Sequence, residues 1–349
     1  MWRATDRCFE RRTMRFLTTL CPLFAGAIAA ASLVPGVLQA AAPAPTAVVL
    51  AVDGVAQTRN LPILLAQRLG YFKNEGLAVT LIDAPAKPSP IELIQSGHAD
   101  GAVAFYHHTI MSQANEHLVT QAVVTMGASP GLKLLVAQRL RGQIHSIADL
   151  KGRKIFTGGV NSGKTTSVNW LMIHAGLAIG DYTALEPTKH DAMAEAIRSG
   201  SADAIISHEP DASRFLAEGT AFELADLESA EGTRKALGTI FPSTALYLPK
   251  SYVEAHPDNV RHLVKACLRA LAFINTHDAK AIAAALPPTV DPAAFTRLIS
   301  EDKKMFDTDG RTPPDAAKAE WRAMAALTPK YGAISIEDTF TNAFLEVPR

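Results

Sequence analysis

A chain of 349 residues is too long for one ordinary hydrophobic core and suits two medium domains. Hydrophobic residues make up 48% and charged residues 19%, the balance of a globular chain. Lys plus Arg equals Asp plus Glu at 34 each, so no basic bias points to a nucleic-acid partner and no acidic tail to a solvating segment.

The N-terminus reads as an export signal. Arg3, Arg7, Arg11, Arg12 and Arg15 precede an apolar run over residues 16–34, and small residues follow in Gln39-Ala40-Ala41-Ala42. That order makes residues 1–40 a signal peptide cleaved near Ala40, although Leu38 departs from the small residue preferred before the cut. Met14 is a more typical first residue, and Arg11-Arg12 leaves the twin-arginine route open beside the general one. The alternative, a retained membrane anchor, fits less well with Pro22, Pro35 and the Ala/Gly richness. Cys8 and Cys21 lie in the leader, which leaves Cys267 with no disulfide partner. Cys267 shares a helical stripe with Val260, Leu263, Val264, Leu271 and Ile274, and is expected in the core.

Strand and helix patterns then alternate. Residues 48–52 read as a buried strand, 61–69 as a helix ending at Gly70, and 77–82 as a strand. Ser89-Pro90-Ile91-Glu92 is a helix start, a capping box with proline at the first helical position. That helix stops at Gly97, and residues 102–105 form the next strand. Such an order predicts mostly parallel sheets covered by helices. A second unit opens near Ile147-Ala148-Asp149-Leu150. It continues as strand 154–156, helix 165–175 capped by Gly176, helix 191–199 stopped by Gly200, and strand 204–206. After Phe241-Pro242 one more strand, 245–248, precedes helices over 257–277, 292–301, 315–327 and 336–344, a run expected to pack back onto an existing lobe.

An internal echo links the units. Residues 92–100 (ELIQSGHAD) resemble residues 195–203 (EAIRSGSAD) at an offset of 103, each a helix end, a glycine stop and an Ala-Asp entry to an apolar strand. If the lobes are equivalent, so are the loops Tyr106-His107-His108-Thr109 and His208-Glu209-Pro210-Asp211. Ligands of open α/β sheets sit beyond the carboxyl ends of the strands, so two facing lobes would line one cleft with these loops.

Several stretches resemble a known family. Leu65-Ala66-Gln67-Arg68-Leu69-Gly70-Tyr71-Phe72-Lys73-Asn74-Glu75-Gly76-Leu77 is similar to the opening of the nitrate/sulfonate/taurine-type binding proteins of ABC transporters. Ser96-Gly97-His98-Ala99-Asp100, then Asp149-Leu150-Lys151-Gly152-Arg153-Lys154-Ile155, then Ala255-His256-Pro257 resemble later marks of that family, in order and spacing. The resemblance implies an α/β periplasmic-binding-protein fold (type II): two lobes with mixed, mostly parallel sheets around a ligand cleft, and two chain crossings. It places residues 46–138 and 243–349 in lobe one and 139–242 in lobe two. It also implies a periplasmic monomer that hands a small molecule to an ABC permease and its ATPase subunit, with no cofactor.

The residues add candidate walls to that cleft. Gly158-Gly159-Val160-Asn161-Ser162-Gly163-Lys164-Thr165 satisfies the phosphate-loop pattern GxxxxGK[ST], which raises an NTPase as a reading from another class. Ala204-Ile205-Ile206-Ser207 ends without the acid that Mg²⁺ needs, so the same physics is assigned to ligand binding. A glycine turn and a helix N-terminus favour an anion, helped by Asn161, Ser162, Lys164, Thr165 and Thr166. Gln57, Thr58, Arg59 and Asn60 form the opposite wall, and Phe105, Tyr106 and His107 supply aromatic faces and donors. Ser129 belongs to a possible floor over residues 126–130, and His208 and Glu209 face it from lobe two. A metal held by His107, His108, His208 and Glu209 is set aside because adjacent histidines bind one ion only with strain and no ligand spacing recurs. The fold family also resembles thiamine-pyrimidine-precursor synthases. Their cysteine-rich signature is missing, and no Ser-His-Asp order or carboxylate pair stands out, so the expectation is a binding protein and not an enzyme. Its solute is expected to be anionic, in the manner of a sulfonate, taurine or nitrate, with an aromatic or heterocyclic thiamine precursor as the runner-up.

Overall fold

The computed structural model describes residues 44–345 except 56, 160, 161, 288–291 and 307; the expected leader, residues 1–40, lies outside the described residues. The first half of the described chain carries β1 (Thr46–Val52), α1 (Leu61–Arg68), α2 (Tyr71–Asn74), β2 (Leu77–Asp83), α3 (Pro90–Gln95), β3 (Gly101–Phe105), α4 (His107–Glu116), β4 (Thr120–Thr125) and β5 (Leu132–Ala137). Next come β6 (Lys154–Phe156), α5 (Gly163–His174), β7 (Thr183–Leu185), α6 (His190–Ser199), β8 (Ala204–Ser207), α7 (Asp211–Ala217), β9 (Ala221–Leu227), α8 (Ala230–Leu237) and β10 (Thr244–Pro249). The tail is helical: α9 (Lys250–Ala255), α10 (Pro257–Thr276), α11 (Ala279–Ala284), α12 (Pro292–Asp302) and α13 (Pro314–Leu327).

The strands form two five-stranded sheets, ordered β2-β1-β3-β10-β4 and β7-β6-β8-β5-β9. In the first, β1 runs parallel to β2 and β3 while β10 is antiparallel to β3 and β4. The second repeats the pattern, with β6 parallel to β7 and β8 and with β5 antiparallel to β8 and β9. The echo in the sequence has a structural cause. Gly97 and Gly200 both end their helices in the left-handed region, at φ 71° and 84°, where a side chain would be strained. The aspartate that follows then clamps the neighbouring strand. Asp100 N–H donates to Val49 O and its Oδ2 accepts from Val49 N–H, at 2.8 and 2.7 Å. Asp203 does the same with Lys154, at 2.8 and 3.0 Å.

Each sheet takes its antiparallel strand from a chain crossing. The two crossings pair with each other: Met126 and Gly127 N–H donate to Thr244 O, and Ser243 N–H donates to Gly127 O, at 2.7, 3.1 and 3.0 Å. A Cβ on Gly127 would lie 2.2 Å from Ser243 Oγ and 3.2 Å from Thr244 N, so any larger residue would have to turn the Ser243 side chain and crowd the backbone of the other crossing. One apolar cluster packs around the second sheet and two cover the faces of the first. Helix α13 joins both sides: Ala316 and Ala323 enter the second sheet's core, while Ala317 and Met324 pack beneath the first sheet.

Three sequence expectations change. Residues through 138 were expected beside the first sheet, but β5 pairs with β8 and β9, so sheet membership changes over residues 126–131. The loop expected at Tyr106–Thr109 is the start of α4, whose Thr109, Ile110 and Ser112 are buried. The helix expected over 336–344 is only a 3-10 turn, Ile336–Thr339; Phe340 then extends and bridges Ala122 of β4.

Candidate functional site

A cavity of about 470 Å³ opens where the carboxyl ends of β1, β3, β6 and β8 meet the chain crossing, a size typical of small-molecule sites. The first sheet contributes Gln57, Thr58 and Arg59 after β1, and Phe105 at the end of β3. The second contributes Gly158, Ser162, Gly163 and Lys164 at the start of α5, with His208 and Glu209 after β8. Pro130, Gly131 and Leu132 form the floor, and Leu298, Asp302 and Met305 close the side from α12 and the turn after it.

The charges on these walls differ in how they are compensated. Arg59 Nη2 donates to the Asp53 carbonyl at 2.9 Å and to its Oδ2 at 3.2 Å, and the guanidinium lies 5.0 Å above the Phe105 ring. Its buried Nε has no partner among the described residues. Glu209 is held by Lys133 at 3.4 Å and by the Ser213 N–H at 3.0 Å. Lys133 also reaches Glu228 at 3.0 Å and Glu223 at 3.7 Å. Lys164, by contrast, makes no salt bridge or hydrogen bond among the described residues. Burial pulls its ammonium below the ordinary lysine range, and Asp211 offsets only part of that. Among the described residues Asp302 accepts from the Thr58 hydroxyl alone, and burial pushes its carboxyl up to about 6, with Glu228, Glu301 and Glu209 adding to the rise. His208 Nδ1–H donates to the Gly131 carbonyl at 2.8 Å. The cavity walls desolvate the ring enough to pull it down to about 4, so it is neutral at pH 7.

The phosphate-loop lookalike is folded as a helix cap. Ser162 Oγ accepts the Thr165 N–H at 3.2 Å, and Thr165 Oγ1 donates to the carbonyls of Gly158 and Gly159, each at 2.9 Å. The hydroxyl that would ligand Mg²⁺ in an NTPase is spent on the loop itself. What reaches the cavity is the helix N-terminus, with Gly163 and Lys164, a place where the helix dipole favours negative charge.

Of the residues expected at the cleft, Gln57, Thr58, Arg59, Phe105, Ser162, Lys164, His208 and Glu209 line the cavity. Asn60, Tyr106, His107, Ser129, Thr165 and Thr166 do not. Asn60 is buried and donates to the carbonyls of Asp53 and Gly54, which shapes the loop that carries Arg59. Tyr106 turns inward to Thr339 at 2.6 Å. His107 stacks on Phe105 at 5.4 Å from behind and sits 3.3 Å from Glu320 of α13. Ser129 Oγ donates to Glu228 O at 2.7 Å. Thr165 and Thr166 are buried beneath the loop, and Asn161 lies outside the described residues. Among the described residues, no group of three or more His, Cys, Asp or Glu side chains is placed to hold a metal ion. Among the charged residues lining the cavity, the one that sequence reasoning missed is Asp302. Its partner Thr58 lies 244 positions away, and no local pattern announces the contact.

A model of the family described as "NMT1/THI5 like" matches residues 57–281. Among curated proteins, the 4-amino-5-hydroxymethyl-2-methylpyrimidine phosphate synthase THI13 of Saccharomyces cerevisiae is 30% identical over 228 residues, 64% of this chain. The chain spans 65% of that relative's length. Among solved structures, a protein from Bordetella bronchiseptica RB50 is similar at a TM-score of 0.63 and 28% identity, covering 86% of this chain and 96% of that one. The periplasmic aliphatic sulphonate binding protein SsuA from Escherichia coli is similar at a TM-score of 0.62 and 19% identity, covering 83% and 94%. These likenesses agree with the two-sheet topology, and the fold is that of the periplasmic binding proteins. One expectation is corrected. The chain was read as no enzyme because a cysteine-rich signature is missing, yet relatives at about this identity carry the name of a synthase. A missing motif did not settle the question, since a cleft that captures a ligand is also the first requirement for acting on it.

Proposed function

This chain belongs to the NMT1/THI5-like family, and from that premise we propose that it is the extracytoplasmic substrate-binding component of an ABC importer, closing its lobes on a small anionic solute. The observation that carries the reading is Lys164, a half-buried ammonium at the N-terminus of α5 with no ion pair among the described residues, in the same cavity as Arg59 from the other sheet. An anion bound there would draw on both sheets at once, which favours the closed form over the open one. The paired crossings at Gly127 and Ser243 are the proposed hinge. The moving lobes are proposed as residues 46–125 with 244–306, and residues 132–237. Export with cleavage near Ala40, a monomeric state, and delivery to a permease with its ATPase subunit complete the proposal. Among the described residues no helix is long and apolar enough to cross a membrane.

Calorimetric titration of the purified protein with nitrate, alkyl and aryl sulfonates, taurine and pyrimidine phosphates tests the anion reading. Heat with at least one anion, reduced about tenfold or more in affinity by Lys164→Met, is the expected result. No heat with any anion, or unchanged affinity in the variant, refutes it. A second reading is favoured by Phe105 in the cavity wall and by the name the yeast relative carries: the cavity holds a pyrimidine phosphate, with the ring beside Phe105 and the phosphate at α5. Pyrimidine phosphates outcompeting every sulfonate would select it.

A further inference from the structure

The cavity walls carry two positive and two negative side chains, Arg59 and Lys164 against Glu209 and Asp302. Two of the four have ion-pair partners outside the cavity, Arg59 with Asp53 and Glu209 with Lys133, an ammonium it shares with Glu223 and Glu228. The other two make no ion pair among the described residues. Asp211 acts on Lys164 only from a distance, offsetting part of its burial, and Asp302 has only the Thr58 hydroxyl. The charges that do act on Asp302 are those of Glu228, Glu301 and Glu209, all of the same sign as its own. Lys164 belongs to the second sheet's helix α5, whereas α12, which carries Asp302, packs on the turn that holds Thr58 beside the first sheet. One charge without an ion pair therefore stands on each side of the cleft, positive on the second sheet's side and negative on the first's. A half-buried charge without a counter-charge is unfavourable, and an occupant that supplies both counter-charges relieves both walls.

We infer that the captured solute carries a cationic nitrogen as well as its anionic group, with the anion at Lys164 and the α5 N-terminus and the nitrogen at Asp302. The inference rests on the capture reading and narrows it. A solute that is only an anion satisfies Lys164 but enters the field of Asp302. Simple anions such as nitrate and unsubstituted sulfonates are therefore disfavoured against their aminated counterparts. Two chemistries supply the nitrogen: an alkylammonium, cationic at pH 7, or an amino-substituted heterocycle, whose amino group is neutral and joins a cation only when a ring nitrogen takes up a proton beside the carboxylate; both present N–H donors to Asp302.

Matched pairs test the inference: taurine against ethanesulfonate, and an aminopyrimidine phosphate against the same ring without its amino group. Each is titrated into the purified protein and into Asp302→Asn, which keeps an acceptor for Thr58 and removes the charge. The expected result is that the aminated member of at least one pair binds about tenfold or more tightly, and that D302N collapses this ratio. The pair that shows the ratio identifies the source of the nitrogen. Equal affinities within both pairs, or a ratio that survives D302N, overturn the inference and leave anion capture standing. If D302N and Lys164→Met each weaken both members of a pair by the same factor, the two side chains pair with each other on closure, and the inference is again overturned. If no member of either pair binds, the inference and the anion reading fall together.

Discussion

Replacing Glu320 by glutamine should stabilise the protein at neutral pH. Glu320 sits on α13 with no exposed surface; neither of its carboxyl oxygens makes a hydrogen bond among the described residues, and His107 Nδ1 lies 3.3 Å from one of them. Burial raises its carboxyl well above the ordinary 4.5 and pulls His107 down to about 4, so the fold favours the neutral form of both groups. In the unfolded chain the carboxyl ionises normally. Folding at neutral pH therefore works against that ionisation, at about 1.4 kcal/mol for each pH unit between 4.5 and the raised folded pKa. Glutamine has nearly the same shape, offers His107 the same donor and carries no such penalty. A group whose folded pKa is raised contributes stability below its unfolded pKa and loses it as pH rises. The advantage of Glu320→Gln is thus largest at pH 7 and vanishes near pH 4.5. His107 acts in the opposite sense, its folded pKa being depressed from 6.5, but it is common to both proteins and cancels in the difference. Urea denaturation of both proteins from pH 7.5 to 4.5 measures this. A variant less stable by about 3 kcal/mol at pH 7 would refute the reasoning, because that is the signature of a broken buried ion pair with ionised Glu320.

Three further outcomes are expected. Cys267 is fully buried and its thiol is pushed up to about 12, so in protein lacking the leader a thiol reagent should label it only after denaturation; rapid native labelling would place it outside the core. Ser162→Ala removes the cap of α5 and should lower stability by about 1 kcal/mol while also weakening anion binding, read by thermal denaturation and calorimetry; a loss of stability with full affinity would detach the cap from the site. Binding of an aminated solute should weaken as pH falls through about 6, where Asp302, raised by burial and by Glu228, Glu301 and Glu209, takes up a proton and ceases to be a counter-charge; calorimetry showing a flat profile from pH 7.5 to 5 would remove Asp302 from recognition.

What could be read in advance follows the range of the interactions involved. The capping box at Ser89 and Glu92 is a contact over three residues, and it forms as its spacing predicts, with the Ser89 N–H donating to Glu92 Oε2 at 2.6 Å. The repeated Gly-x-Ala-Asp turn is equally local, and it marks equivalent positions in the two sheets because each aspartate binds the adjacent strand's backbone. Arg59, Phe105, Lys164 and Glu209 were legible as cavity residues because the carboxyl ends of strands are where such sheets bind, which follows from topology alone.

The misses share one physical origin. Tyr106 and His107 follow Phe105 directly, yet only Phe105 faces the cavity. The others are claimed by Thr339 and Glu320, partners more than two hundred positions away in the C-terminal tail. The same tail supplies Asp302 to the cavity and sends α13 across to the second sheet's core, so a segment read as packing onto one lobe completes the site and touches both. It also explains α4. His107-His108-Thr109 has weak helix propensity, and the helix is held by its buried face, which packs against β4 and α13. Sequence periodicity shows which residues need burial but not which distant segment will bury them. At this cleft, that distant segment supplies Asp302 and covers the buried neighbours of Phe105.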